Sequence, residues 1–300
     1  MTTLRIAWWN TRLATKPGNG ARAERTDLDA ETWEIALQVV HDLASEGVEI
    51  ILLGEVVPST VARLRTATTY ERVVDDAIDV DTGIGALFDA TKCSVRFDAN
   101  VVGELRSRDT TRALRFSIDT ADAPQIALIA VHWPSRSTTE GEVHRAPLAS
   151  GLQTHINNLV DQGPGFVIIG GDFNEDPFDD SLTLNLFGTR DRRLAAKQRR
   201  ALYNPFWRLL GERKTHETAP PHHGAGTCFW KGSTETKWTT FDQFMFSSAF
   251  LQGGAWTLVE GATEVWDRPP LAVDDGKLRP GFDHYPVLVG IRRVVGGAVL

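Results

Sequence analysis

The chain has 300 residues, 42% hydrophobic and 24% charged, which describes a globular protein able to bury a large core. That excludes global disorder, a collagen-like fibre and a coiled coil. Lysine plus arginine number 32 against 39 acids, a net charge of −7, so a broad basic surface for nucleic acid is not expected. An acidic total also arises when carboxylates gather around a divalent cation.

Along the chain, residues 4–9 form a first apolar run of β character, with no leader-like basic and apolar stretch ahead of it. A polar loop over 16–29 follows. Trp33, Ala36, Leu37, Val40, Leu43 and Ala44 then fall at helical spacing, and Gly47 supplies a stop. Further strands are predicted at 50–53, 85–88, 113–118, 126–131, 166–169, 244–246 and 287–291. Helices are predicted at 143–160 and, briefly, after Asp179. Strands occur singly, in pairs and between helices, which predicts mixed sheets. The stretch 203–240 is the least regular and reads as a rim or insertion within a single domain spanning 1–300. No apolar stretch reaches the ~18–20 residues of a membrane span. Cys93 and Cys228 are too few to staple a fold of this size, so a cytoplasmic location is expected.

The informative polar residues share one placement, at or just past the end of an apolar run. Asn10 closes LRIAWWN, Glu55 follows IILLG and His132 follows IALIAV. Asp172 and Asn174 follow FVIIGG, Asp242 opens DQFMFS, and Asp283 with His284 precedes YPVLVGI. One such residue is ordinarily a cap or a turn. Eight of them point to a site built on strand ends, in residue types that bind hard cations and transfer protons.

These residues resemble the endonuclease/exonuclease/phosphatase superfamily. The matching blocks are WWNTR (8–12), LLGE (52–55), VHWPSR (131–136), GGDFNEDP (170–177), FDQFMFS (241–247) and FDHYPV (282–287), in the family's order. The resemblance implies a four-layer α/β/β/α sandwich of two mixed sheets with helices outside. It implies Mg²⁺ as cofactor, with Mn²⁺ able to substitute, held by Asn10, Glu55 and Asp283. Asp172 and Asn174 would orient and deprotonate the attacking water, their side chains sharing one side of an extended segment. His284 would be the essential histidine, fixed by Asp242. His132 would donate to phosphate or protonate the leaving oxygen; no motif fixes the acid that would orient it, for which Asp79 and Asp81 are candidates. Arg12, which matches the family's NxR, would contact the substrate; Ser135 and Arg136 follow His132 closely enough to reach a phosphate or else form a solvent-facing loop. Abasic-site endonucleases of the family carry an acid at the position of Arg12 and a tyrosine at that of His132, so the resemblance is to the deoxyribonuclease-like branch.

Other features carry two readings each. His222 and His223 are adjacent, point to opposite sides of an extended segment, and read as an exposed loop. Cys228 reads as a buried or rim thiol. Arg190, Arg193, Lys197 and Arg200 would share a helix face opposite Leu194, Ala201 and Leu202. That face is either simply solvated or a phosphate-tracking patch beside the GDFN loop. Phe229, Trp230 and Trp238 either pack a long loop or stack on a substrate. The expected activity is metal-dependent phosphodiester hydrolysis, with nucleic acid, DNA before RNA, as partner. A small-molecule or lipid phosphoesterase is the alternative, and an inactive binding module a more distant one.

Overall fold

Side chains alternate across a strand, and the strand Thr3–Asn10 uses both faces. Leu4, Ile6 and Trp8 enter one core, while Ala7 and Trp9 enter another. A strand buried on both sides reads as an unbroken apolar run, which is what residues 4–9 show. The computed structural model describes residues 3–15, 22–73, 82–105, 108–135, 139–163, 165–211, 226–230, 236–273 and 277–294.

The first sheet takes its strands in the order Trp256–Leu258, Val287–Arg293, Thr3–Asn10, Ile50–Gly54, Gly85–Phe88 and Glu71–Val73, with Glu264–Val265 also on Val287–Arg293. The second runs Gly188–Thr189, Leu202–Tyr203, Asp242–Phe246, Val167–Asp172, Ile126–His132, Arg108–Asp119 and Ser94–Leu105. Both sheets are mixed. Between them lies a core that includes Ile6, Trp8, Leu52, Leu128, Ile168, Phe244 and Val289. On the outer face of the first sheet, helix α1 (Ala30–Ser45) buries Trp33, Val39, Val40 and Leu43 against Trp9, Ile51 and Leu53. Helix α2 (Pro58–Arg65) adds Val61 and Leu64 to that layer. On the outer face of the second sheet, helix α3 (Thr139–Gln162) packs Leu148, Leu152 and Ile156 against Ile129, Val131 and Ile169. The result is the four-layer sandwich.

Register fixes where the strand ends fall. Thr3–Asn10 and Ile50–Gly54 run parallel with Asn10 beside Gly54, so Asn10 and Glu55 leave the first sheet together. In the second sheet Asp172 stands beside His132 on one neighbour and beside Asp242 on the other. One end of the sandwich therefore collects the polar residues noted above.

Every predicted long strand is present, but Ser94–Leu105 and α2 were not predicted. The basic stretch departs from its expected form. Helix α4 spans Arg192–Lys197, so Arg190 and Arg200 lie outside it. Its buried residue is Ala195, whereas Leu194 is 40% exposed. The helix packs on the turn Ser248–Leu251, beyond the far end of Asp242–Phe246, and not beside the GDFN loop. Within the irregular stretch, 212–225 and 231–235, and so His222 and His223, lie outside the described residues. The rest holds the turn Pro205–Leu209 and a hairpin of Cys228–Phe229 with Trp238–Thr239. Cys93 and Cys228 are buried and unpaired, and no helix among the described residues is long and apolar enough to cross a membrane.

Candidate active site

Asp242 begins its strand fully buried, and its carboxylate is surrounded by donors. Oδ1 accepts from Trp8 Nε1 at 2.8 Å; Oδ2 accepts from Thr227 Oγ1 and His284 Nδ1, each at 2.7 Å. That arrangement fixes the His284 ring with Nε2 turned toward Asp172, 3.9 Å from Oδ2. Burial by itself disfavours a charged imidazole. The charge of Asp242 and its hydrogen bond outweigh this and hold His284 well above the ordinary histidine value. Cys228, whose thiol burial pushes up, lies against the same ring. The backbone supports the dyad, because Tyr285 N donates to Thr227 O and Cys228 bridges to His284.

Asp172 lies where the two sheets meet. Its Oδ2 accepts from Asn10 Nδ2 at 3.1 Å and its Oδ1 from the Asn174 backbone N–H at 2.8 Å. Burial pushes its carboxyl above the usual carboxylate range, opposed by the charge of His284. The preceding glycines are needed for close packing. A side chain on Gly170 would occupy the Phe244 ring, and one on Gly171, at φ +150°, the Val131 carbonyl. Asn174 does not share an extended segment with Asp172 as its spacing implied. It sits at φ +50° in a turn closed on the Asp172 carboxylate, with its Nδ2 donating to Trp133 O at 3.0 Å.

Glu55 and Arg12 also occupy the left-handed region, at φ +53° and +56°. Such conformations cost about 1–3 kcal/mol each and persist where the surroundings impose them, commonly at functional sites. Burial raises the Glu55 carboxyl, and the neighbouring charge of Asp283 raises it further. Arg12 Nε lies 3.4 Å from Asp283 Oδ2, and the Arg12 backbone N–H donates to Asn10 Oδ1 at 3.3 Å.

His132 Nδ1 donates to Thr82 O at 2.9 Å, leaving Nε2 as an acceptor 3.8 Å from Glu55 Oε1. Burial, with the charge of Arg22, lowers its pKa to about 4, so the ring is neutral near pH 7. With Nδ1 held by the Thr82 carbonyl, the ring turns Nε2 toward Glu55. Its orienting group among the described residues is the Thr82 carbonyl, and Asp79 and Asp81 lie outside them. Ser135 is exposed three residues beyond His132, and Arg136 lies outside the described residues.

Trp8, Thr227, Thr82 and Arg22 were missed by sequence reasoning. So was Arg145, which forms a buried ion pair with Glu175 at 2.7 Å beneath the GDFN loop. For Trp8 the signal was present in the WWN run; the others have none.

The residue set fits a divalent cation. Asp172, Asp242 and His284 bring ligand atoms within 4.8 Å of one another, but the oxygens of Asp242 are already engaged by three side-chain donors. Glu55, Asp283 and the buried Asn10 offer further oxygen donors of the hard kind, and burial and the charge of Asp283 both raise the Glu55 carboxyl. An anionic phosphate would be repelled by these acids without a cation between them.

The fold is that of phosphoester hydrolases. The chain belongs to the endonuclease/exonuclease/phosphatase family, whose profile matches residues 37–286. Members of that family hydrolyse phosphoester bonds and depend on divalent metals. No curated protein sequence matches significantly. Among solved structures, the chain is similar to the catalytic domain of human Nocturnin at 16% identity and a TM-score of 0.61, covering 97% of this chain and 95% of that one. It is similar to the mannosyl-6-phosphatase Bt3783 of Bacteroides thetaiotaomicron at 14% identity and 0.63, covering 96% and 99%. Similarity to D. rerio TDP2 complexed with a single-strand DNA product is 15% and 0.56, covering 97% and 100%.

Proposed function

We propose that the protein is a metal-dependent phosphodiesterase acting on nucleic acid, DNA before RNA, by in-line attack of water. The observation that carries this reading is the convergence of Asp172, Asn10, Asn174 and the His284–Asp242 dyad across the two sheets. Asp172, its carboxyl raised by burial, takes a proton from the attacking water, which Asn174 helps orient. The His284 imidazolium donates from Nε2 to the phosphoryl oxygen as negative charge develops there. Arg12 holds the phosphate at the rim. The P–O bond opposite the attacking water breaks and the leaving oxygen takes its proton from solvent, while His132 accepts a hydrogen bond from water or substrate at Nε2. Mg²⁺ or Mn²⁺, held by Glu55, Asp283 and Asn10, supplies Lewis-acid polarisation of the phosphate when bound. A diester brings one negative charge to the phosphate, which suits a rim whose nearby cations are Arg12 and Arg22. The TDP2 complex with DNA supports a nucleic-acid substrate. The mannosyl-6-phosphatase relative supports the second reading, a small phosphate ester. The free thiols fit a reducing compartment such as the cytoplasm.

The test is a Mg²⁺/Mn²⁺ activity panel with plasmid, single-stranded DNA, RNA, sphingomyelin, inositol phosphates and a sugar phosphate. Glu55→Gln keeps the shape and removes the charge, so turnover should fall by orders of magnitude while the melting curve is retained. Full turnover in EDTA, or in Glu55→Gln, would overturn the metal-dependent reading.

A further inference from the structure

Six large hydrophobic side chains are exposed among the described residues, and Phe178, at the end of the GGDFNEDPF run, is 53% exposed. Its ring centroid lies 6.4 Å from that of Trp207, with the planes at 64°. Over the same indole, 5.2 Å from its centroid, sits the guanidinium of exposed Arg190. An aromatic pair and a cation thus form one open shelf.

Two anchors tie the shelf to the strand Asp242–Phe246. Asn204 donates from Nδ2 to Gln243 Oε1 at 2.7 Å and caps the turn Pro205–Leu209 that carries Trp207. Gln243 Nε2 donates in turn to the Glu175 carbonyl at 2.6 Å, inside the loop that ends in Phe178. Gln243 directly follows Asp242, so both walls of the shelf are tied to the strand end that carries the catalytic dyad. Arg190 also differs from its neighbours in the basic stretch. Arg192 is paired with Glu260 at 3.1 Å and Arg199 with Asp161 at 3.5 Å, while Arg190 lies over the Trp207 ring.

We infer that this shelf seats the nucleotide flanking the scissile phosphodiester, and that the substrate is single-stranded nucleic acid. The inference rests on the phosphodiesterase reading above. A base offers a π-face to Phe178 only when unpaired, and its phosphate then lies within reach of Arg190. One guanidinium beside two rings matches one nucleotide. It does not match a lipid surface, which takes a wider apolar area and several cations.

Full-length protein and its Phe178→Ala, Phe178→Trp and Arg190→Gln variants are assayed on three substrates. These are a labelled single-stranded oligodeoxynucleotide, the same sequence as duplex, and bis(p-nitrophenyl) phosphate. Arg193→Gln with Lys197→Gln serves as the control on α4. Phe178→Ala should raise KM for the single strand at least about fivefold, the low end for one stacked base, with Phe178→Trp restoring it. Arg190→Gln should reduce the slope of log affinity against log salt by about 0.7, the value for one phosphate contact on a single strand. Neither change should alter turnover of the chromogenic diester, and the α4 control should alter nothing. Oligonucleotide cleavage that ignores both shelf variants overturns the inference, as does equal loss on all three substrates. Loss of binding to phosphatidylserine vesicles in Phe178→Ala, with oligonucleotide KM unchanged, also overturns it. Wild-type protein that cleaves the chromogenic diester and no oligonucleotide overturns the nucleic-acid reading itself, before any variant is compared.

Discussion

Asp242 and Thr227 show how one buried carboxylate sets the state of a histidine. Asp242→Asn preserves size and hydrogen-bonding capacity but removes the charge that holds His284 as imidazolium. Turnover should fall by about 10²–10⁴-fold, the usual contribution of a proton-transfer group, with KM little changed. Steady-state kinetics on the best substrate checks this, and near-normal turnover would remove the dyad from the mechanism. His284→Gln should cost more than His132→Gln, because His132 is already neutral and held by a backbone carbonyl. At this scale the sequence was informative where a motif names a residue and silent where a partner comes from elsewhere. Asn10, Asp172 and His284 stand out because each closes or opens an apolar run. Thr227 and Thr82 belong to no motif; they became partners when a hairpin and a loop folded onto the strand ends.

Among the elements, the GDFN loop has the most demanding support. Arg145 of α3 and Glu175 of the loop are 5% and 6% exposed and form an ion pair at 2.7 Å. Ser181 Oγ also donates to the Glu175 carboxylate at 2.7 Å. Removing one member leaves a buried charge without its counter-charge, which typically costs 3–5 kcal/mol. Glu175→Gln should therefore lower the urea midpoint sharply, and the double change Arg145→Met with Glu175→Leu should recover most of the loss. A Glu175→Gln midpoint equal to wild type would show that the pair adds nothing to the loop's stability. Elements with strong periodicity were legible in the sequence, as α1 and the doubly buried strands show. Ser94–Leu105 was legible too: Val95, Phe97, Ala99 and Val101 alternate with Arg96, Asp98 and Asn100, the period-two pattern of a half-buried strand at the edge of its sheet. Helix α4 was legible as basic but not as short. Its boundaries depend on Asp191, whose Oδ1 accepts from the N–H groups of Arg193 and Leu194, and on packing against a distant turn.

At the scale of the whole molecule, the site depends on two sheets being held in one relation by their common core. Two of the bonds that cross it, Trp8 to Asp242 and Asn10 to Asp172, start from the strand Thr3–Asn10. That strand is central in its sheet, hydrogen-bonded to Val287–Arg293 on one side and to Ile50–Gly54 on the other. It nevertheless lies outside the span 37–286 over which the family profile matches. A chain beginning at residue 37 would keep the Glu55, Asp172 and His284 motifs while losing the strand that joins the halves of its first sheet. It would also lose about the first two turns of α1, residues 30–36, and leave Ile50–Gly54 and Val287–Arg293 with unpaired inner edges, exposed to other chains. Such a chain should lack a cooperative thermal transition and collect in the insoluble fraction. The full chain should melt in one transition. Circular dichroism and size-exclusion chromatography of the two side by side decide the matter, and a soluble, cooperatively folded 37–300 fragment would show that the sandwich can assemble without its central strand.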